Sequence, residues 1–393
     1  MTPQVLVVGG GMITHDQILP SLLHLRDTGV ISKVDVVASR VSTVKALRDA
    51  FPNREFAAYP QSGDQPQPAL YKELIARMPP RNIVAIALPD QLHFEAVMAA
   101  IEHDQHVMCV KPLVLSSKQS IEIENAARGK NVVVGVEYHK RFDDRSHMAR
   151  KRYRAGMFGD FKLGTASLME KWYYRHSNFQ NWMTTDNSDA FTYIGCHYVD
   201  LVHFITGLLP VSVSVYGLKD KFPNGSEGYL WTDARVVWTN GACLNVQNTL
   251  SFPDDGPGSN TQHIAMYCSG GDKGAMIRHS DQYRGIEYSY IRKPESPGAT
   301  AYSEPSADYF QYVDLGGEHP VPVGYGYRSI DFIIRQCIAC EQSDDKPAFL
   351  RRLDEQGILA TPRNSRYNEL VVEAGRESIL NGGREVKITY PVS

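Results

Sequence analysis

The chain has 393 residues, 42% of them apolar, and a formal net charge of −3 from 41 basic and 44 acidic side chains. That near balance, without any Lys/Arg-rich block, excludes a general nucleic-acid binder, and no run of about 18 apolar residues offers a membrane span. The length favours two domains, each able to bury a core; with no charged, apolar leader at the N-terminus, the sequence reads as cytoplasmic.

The segment "QVLVVGGGMITHD" (4–16) is an apolar run breaking into three glycines, followed by helical apolar spacing in "HDQILPSLLHL". Strand, glycine turn and helix open a dinucleotide-binding unit. Gly9 permits the sharp turn, and Gly11 lets a pyrophosphate approach the backbone amides at the positive end of the helix. The third position of G-x-G-x-x-G is Thr14, a departure from the usual Gly or Ala.

Further strands are expected at "KVDVVASR" (33–40), "NIVAIALP" (82–89), "HVMCV" (106–110) and "NVVVGVEY" (131–138), with helices "STVKALRDAF", "HFEAVMAAIEHD" and "SKQSIEIENAARG" between them. This alternation implies a parallel, doubly wound sheet. "YPQSGDQPQPA" reads as a polar surface loop. Beyond about residue 140 one charged helix, "DRSHMARKRYRAG", precedes strand-like runs at "FKLGTASLMEKWYY", "PVSVSVYGLK", "TDARVVWTNGACLNVQNTLS", "QHIAMYCSGGDKGAMIRH" and "GIEYSYIRK". These read as a largely antiparallel sheet with helices on one side, and "IRKPESPGATAYSEPSADY" as a long exposed loop. Of the six cysteines only Cys337 and Cys340 form a C-x-x-C, inside a helical pattern; with no second pair at zinc spacing, they read as ordinary reduced thiols, and no metal is expected.

Four ordered motifs, the glycine turn, "IALPDQLHFEAVMAAIEHDQHVMCVKPLVLS", "GVEYHKRFD" and "GCHYVDLVHFITG", together resemble the Gfo/Idh/MocA oxidoreductases. The resemblance implies an α/β chain: a Rossmann dinucleotide-binding domain at 1–136 and, at 137–393, an α/β domain with an open, largely antiparallel sheet for substrate binding and oligomerisation. It implies a nicotinamide cofactor held by Gly9, Gly11, Met12, Ile13, Ser39, Arg40, Leu88, Pro89, His93 and Lys111. A carboxylate at the end of the second strand would repel a 2′-phosphate, but Ser39 and Arg40 stand there. Arg40 suits NADP, and equally suits stacking on adenine or a solvated loop, so the cofactor is NAD or NADP.

The family triplet E-K-P reads Val110-Lys111-Pro112 here, so Lys111 keeps its place but loses a charged neighbour. The family's D-x-x-x-H reads Tyr193-x-x-x-His197, in a helix expected to end at Gly207. Oxidising a secondary alcohol needs a base for the hydroxyl proton and a cation near the developing alkoxide. His197 is assigned as base, Lys111 as electrostatic partner and Tyr193 as orienting or relay group. Asp200 reads either as support for His197 or as a solvated helix charge. Trp172, Arg175, Trp182 and His139, with Tyr193 and His197, are expected to line a sugar pocket, since aromatic faces and planar hydrogen-bonding groups suit sugar rings. The expected partners are a sugar or glycoside substrate, no nucleic acid, no membrane, and further copies of the chain. The expected activity is dehydrogenation of a sugar, glycoside (at C3, C-glycosides included) or cyclitol hydroxyl. An NAD-dependent glycosidase acting through transient ring oxidation and a non-catalytic sugar or dinucleotide sensor stand as alternatives.

Overall fold

The computed structural model describes residues 2–172, 179–254, 260–280, 289–291, 301–303 and 306–391. The chain divides into two compact units, Met1–His139 with Tyr312–Arg366, and Lys140–Gln311 with Tyr367–Ser393.

In the first unit β1 (Gln4–Val8), β2 (Lys33–Val37), β3 (Ala57–Tyr59), β4 (Ile83–Ile86), β5 (His106–Val110) and β6 (Val134–Glu137) form one parallel sheet in the order β3-β2-β1-β4-β5-β6. Their apolar runs are buried almost throughout, as strands covered on both faces must be. Helices α1 (Leu19–Asp27), α2 (Val41–Ala50), α3 (Leu70–Arg77), α4 (His93–Glu102) and α5 (Ser117–Lys130) make the crossovers. The strand order reverses between β1 and β4, so their carboxyl ends flank the position where doubly wound sheets take ligands. The expected strands and helices are all present. Sequence reading misses β3, three residues at a sheet edge, and α3, a helix of eight residues that buries only Tyr71 and Ile75.

The second unit holds α6 (Asp144–Arg154), β7 (Asp160–Lys171), α7 (Cys196–Thr206), β8 (Pro210–Lys221), β9 (Glu227–Trp238), β10 (Cys243–Phe252), β11 (Asn260–Gly270) and β12 (Lys273–Ser280). Hairpin strands β13 (Ser289–Ile291) and β14 (Ala301–Ser303) pair with each other, as do β15 (Gln311–Val313) and β16 (Val321–Val323). The chain then returns to the first unit for α8 (Tyr325–Gln342) and α9 (Lys346–Gln356), and the second unit ends with α10 (Arg366–Leu380) and β17 (Val386–Lys387). The large sheet runs β12-β11-β7-β10-β9-β8-β17, antiparallel throughout except where β7 lies parallel to β10. One face is buried through Ala166, Leu168, Val213, Val215, Ala234, Val236, Leu244 and Val246. The other leaves an apolar row exposed, because Leu163 pairs with Tyr267 and Tyr267 with Met276. Of the expected loop at 291–309, residues 292–300 and 304–305 lie outside the described residues.

A division at 136/137 does not describe the packing, because Tyr312–Arg366 returns to the first unit. Ile330, Ile333, Ile334, Cys337 and Cys340 of α8 share one core with Val5, Val7, Val34, Val36 and Met108, and the Val136 N–H donates to the Ala360 carbonyl at 2.9 Å. Periodicity shows that α8 has an apolar face; it does not say which core takes it. Burial pushes the Cys337 thiol well up and that of Cys340 to about 11, so neither offers a thiolate at neutral pH.

A polar clamp seals the end of α8. The His106 Nδ1 accepts the Val133 N–H at 2.9 Å, so its Nε2 carries the proton and donates to Glu341 at 3.0 Å, while Lys346 donates to the other carboxylate oxygen at 2.6 Å. Burial works against the Glu341 carboxylate, but these two donors outweigh it and hold its pKa down at about 2, from about 4.5. A depressed carboxylate pKa stabilises the fold above the unfolded value and loses that contribution as pH falls through the folded one. Glu341→Gln is therefore expected to lower the melting temperature at neutral pH and to flatten the stability loss between about pH 4.5 and about pH 2, read by thermal circular dichroism. An acid limb identical to that of the parent would contradict the clamp.

Candidate active site

Gly9 leaves β1 at φ 112°, and a Cβ there would stand 2.0 Å from the Ala87 carbonyl oxygen, so no other residue fits this turn. Thr14 is fully buried and its hydroxyl donates back to the Gly9 carbonyl at 2.8 Å. A single π-turn, Thr14–Ile18, leads from there into α1. The departure at the third glycine position is thus a threonine that ties the loop shut. Gly11 is exposed and Met12 and Ile13 half-buried at the start of this helical stretch, which presents its first amides without a side-chain cap. Free amides and the positive helix end suit a pyrophosphate, so the residues present fit a dinucleotide. Ser39 and Arg40 are exposed at the end of β2, with Arg40 capping α2 in extended conformation.

Leu88 and Pro89 are half-buried after β4, and Lys111, also half-buried, directly follows β5. His93 behaves differently from the other expected cofactor residues. It is fully buried, with Nε2 2.8 Å from the Leu88 carbonyl and Nδ1 2.8 Å from that of Pro112. At the end of β6, His139 is nearly buried; its ring stacks on Tyr325 at 5.7 Å, and its Nδ1 lies 3.3 Å from Glu137. The buried Glu137 carboxylate also accepts from Gln17 (3.1 Å) and Ser329 (2.5 Å), joining the glycine-turn helix to α8.

In the second unit a π-turn, Phe191–Gly195, runs into α7, which Gly207 ends in the left-handed conformation. Tyr193 stands in the π-turn and the buried His197 in the first turn of α7. The Tyr193 ring meets Phe179 edge-on at 4.9 Å and Trp182 at 5.9 Å, so of the expected sugar-pocket residues Trp182 packs against Tyr193. Trp172 is 40% exposed at the end of β7, and Arg175 lies outside the described residues.

Asp200 is not a solvated charge. It is 1% exposed and accepts Arg141 Nε at 2.8 Å, Arg141 Nη2 at 2.7 Å and the Tyr367 hydroxyl at 2.7 Å. Burial disfavours the Arg141 cation, but Asp200 more than compensates and raises its pKa. Asp189, fully buried, caps the π-turn by accepting the Thr192 N–H at 2.8 Å and hydroxyl at 2.9 Å. Burial raises its pKa. Lys140 is buried too and donates to Gln262 at 2.7 Å. Sequence reading gave none of Lys140, Arg141 and Asp189 a role.

Comparison with known proteins adds the family. Residues 4–138 match the family model described as an oxidoreductase family with an NAD-binding Rossmann fold. Residues 4–138 are the NAD-binding unit of the Gfo/Idh/MocA oxidoreductases. The chain is 25% identical over 222 residues to D-glucoside 3-dehydrogenase of Escherichia coli, a match spanning 55% of this chain and 58% of that protein. It is 26% identical over 189 residues to the NADP(+) scyllo-inositol 2-dehydrogenase of Bacillus subtilis, covering 48% and 47% of the two chains. The chain thus matches about half the length of these curated relatives. The structure of scyllo-inositol dehydrogenase from Lactobacillus casei with bound NAD(H) and scyllo-inositol superposes with a TM-score of 0.63 at 14% identity, covering 98% of this chain and 99% of that one, and shows the shared fold. The NAD-binding fold of the family accounts for the glycine turn. Among the described residues no helix is long and apolar enough to cross a membrane.

The buried Arg141–Asp200 pair makes a direct forecast. Removing one partner strands the other charge, at a cost of about 3–5 kcal/mol. Asp200→Ala is expected to lose that much in urea unfolding, and Asp200→Asn, which keeps an acceptor for Arg141, distinctly less. Equal stability of Asp200→Ala and the parent would contradict the pairing.

Proposed function

We propose that this Gfo/Idh/MocA member oxidises a secondary hydroxyl of a sugar, glycoside or cyclitol with NAD or NADP. The observation that carries this reading is the Gly9–Thr14 turn on β1 with Lys111 directly after β5, a nucleotide cradle and a cation at carboxyl ends of one parallel sheet. Gly9, Gly11, Met12 and Ile13 hold the pyrophosphate, while Leu88 and Pro89 line the next carboxyl end. The nicotinamide, when bound, supplies the two-electron acceptor. His197 takes the hydroxyl proton at a ring nitrogen, a task its ordinary pKa near 6.5 suits at neutral pH. The Lys111 ammonium stabilises the alkoxide charge as that proton leaves. Tyr193, held edge-on by Phe179, orients the hydroxyl, and Trp182 offers an aromatic face to the sugar ring.

Relatives bearing the names D-glucoside 3-dehydrogenase and scyllo-inositol 2-dehydrogenase support a cyclic polyol or glycoside as substrate, with C3 of a glucoside, including C-glycosides, the first position to try. Arg40, exposed beyond β2 where no carboxylate stands, supports competence with NADP as well as NAD. The exposed row of Leu163, Tyr267 and Met276 on the open sheet face supports a homo-oligomer, because such a row exposes more apolar surface than a monomer gains from.

The test is turnover of a panel of glycosides and inositols with each cofactor, followed by nicotinamide absorbance and identification of the keto product. Lys111→Ala and His197→Ala, checked for fold by circular dichroism, are each expected to lose at least ~100-fold in turnover at saturating cofactor. Near-parent turnover in either would remove that residue's assigned role, and release of aglycone without net cofactor reduction would replace the dehydrogenase by a glycosidase.

A further inference from the structure

His93 presents both ring nitrogens to backbone carbonyl oxygens. Nε2 lies 2.8 Å from the Leu88 carbonyl oxygen; Nδ1 lies 2.8 Å from that of Pro112 and 3.2 Å from that of Leu113. A neutral imidazole has one N–H and one lone pair, so in either tautomer a lone pair would face a carbonyl oxygen at hydrogen-bond distance inside a fully buried site. Only the ring with both nitrogens protonated donates to the carbonyls at both ends, and the Cys109 side chain, which also hydrogen-bonds the ring, reaches one nitrogen at most. His93 is also the first residue of α4, where the helix dipole disfavours a cation. That term is weaker than an unmade bond to a buried carbonyl, and the buried Asp90 in the preceding turn offsets it.

We propose that His93 is a positioning residue, held as a permanent imidazolium, that ties the Leu88–Asp90 turn after β4 to the Lys111–Leu113 turn after β5 and so fixes the Lys111 ammonium relative to the dinucleotide cradle. The claim about Lys111 rests on the dehydrogenase reading. The two turns leave neighbouring parallel strands, since β4 pairs with β5 from Ile83–His106 to Ile86–Cys109, and the hydrogen bonds of the sheet end at that last pair. Beyond it, His93 supplies a cross-strand link with a donor at each end. The titratable groups facing the ring are Cys109 on β5 and Asp90 before α4. Burial lowers the pKa of the ring, but these two and the Leu88 carbonyl outweigh it and push the pKa up to about 10. A cation that positions another cation's loop need not touch substrate. A displacement of about 1 Å at a reacting group can cost about 100-fold in rate, so a loosened Lys111 turn shows in turnover before it shows in cofactor affinity.

The test has two arms. In the full-length protein with 15N-labelled histidine, the His93 signals, assigned by their loss in His93→Gln, are expected to report two protonated ring nitrogens at neutral pH, with no titration between about pH 6 and about pH 9. A neutral tautomer, or titration near the ordinary value of about 6.5, would overturn the proposal. In the second arm His93→Gln, which can reach only one carbonyl as donor, is expected to lose at least ~10-fold in kcat while the calorimetric Kd for NAD+ changes less than ~3-fold. An unchanged kcat in a folded variant, or a loss lying wholly in Kd, overturns it; if the variant does not fold, the parent's ring signals decide. If the parent oxidises no alcohol, the dehydrogenase reading fails instead, and the clamp stands or falls on the ring's protonation and on NAD+ affinity.

Discussion

The approach of the Gly9 backbone to the Ala87 carbonyl governs the first unit. At a separation that would leave a Cβ 2.0 Å from that oxygen, β1 and β4 end side by side and the chain must turn away at once into a helix. The turn leaves amides free at the positive end of that helix and brings the ends of β4 and β5 to the same edge of the sheet. Thr14 holds the turn from inside by bonding to Gly9, and Gln17, one helical turn on, reaches the buried Glu137 at the far side of the sheet order. The turns at this edge of the first unit are therefore short and fastened at both ends.

The second unit fastens the helix that carries His197 by other means. Asp189 caps the π-turn that carries Tyr193, Gly207 closes α7, and Asp200, three residues beyond His197, is pinned by Arg141 and Tyr367. Buried charges of this kind add little net stability compared with an apolar core, since desolvation consumes most of the Coulomb gain. Their effect is to make wrong arrangements costly, so that the helix bearing His197 has one register. Tyr193, not a carboxylate, stands four residues before His197, and the carboxylate of Asp200 is spent on Arg141.

Much of this was legible in the sequence. Apolar runs separated by helical spacing name a doubly wound sheet because parallel strands are buried on both faces and cannot alternate. The glycine turn, Lys111 after β5 and the Tyr193–His197 helix were legible because each follows a strand or ends on a glycine that local patterning marks. What stayed hidden depends on distant partners. Nothing local in "HKRFD" says that Lys140, Arg141 and Asp143 are buried, which they are because Gln262, Asp200 and His279 come from remote strands and helices to meet them. α8 has an obvious apolar face, but nothing local says that it returns to the first core. Likewise His93 lies in a motif that marks the cofactor edge, while its two carbonyl partners are visible only once β4 and β5 are paired.

The central claim is that hydrogen leaves a carbon of a cyclic alcohol with its electron pair and is kept by the nicotinamide. Incubating the protein with oxidised cofactor and a glucoside deuterated at C3, and then analysing the recovered nicotinamide and sugar by mass spectrometry, tests this most directly. The account predicts one deuterium in the reduced nicotinamide for each 3-keto sugar formed. Deuterium released to solvent, or an aglycone released while the cofactor stays unlabelled and oxidised, would contradict it.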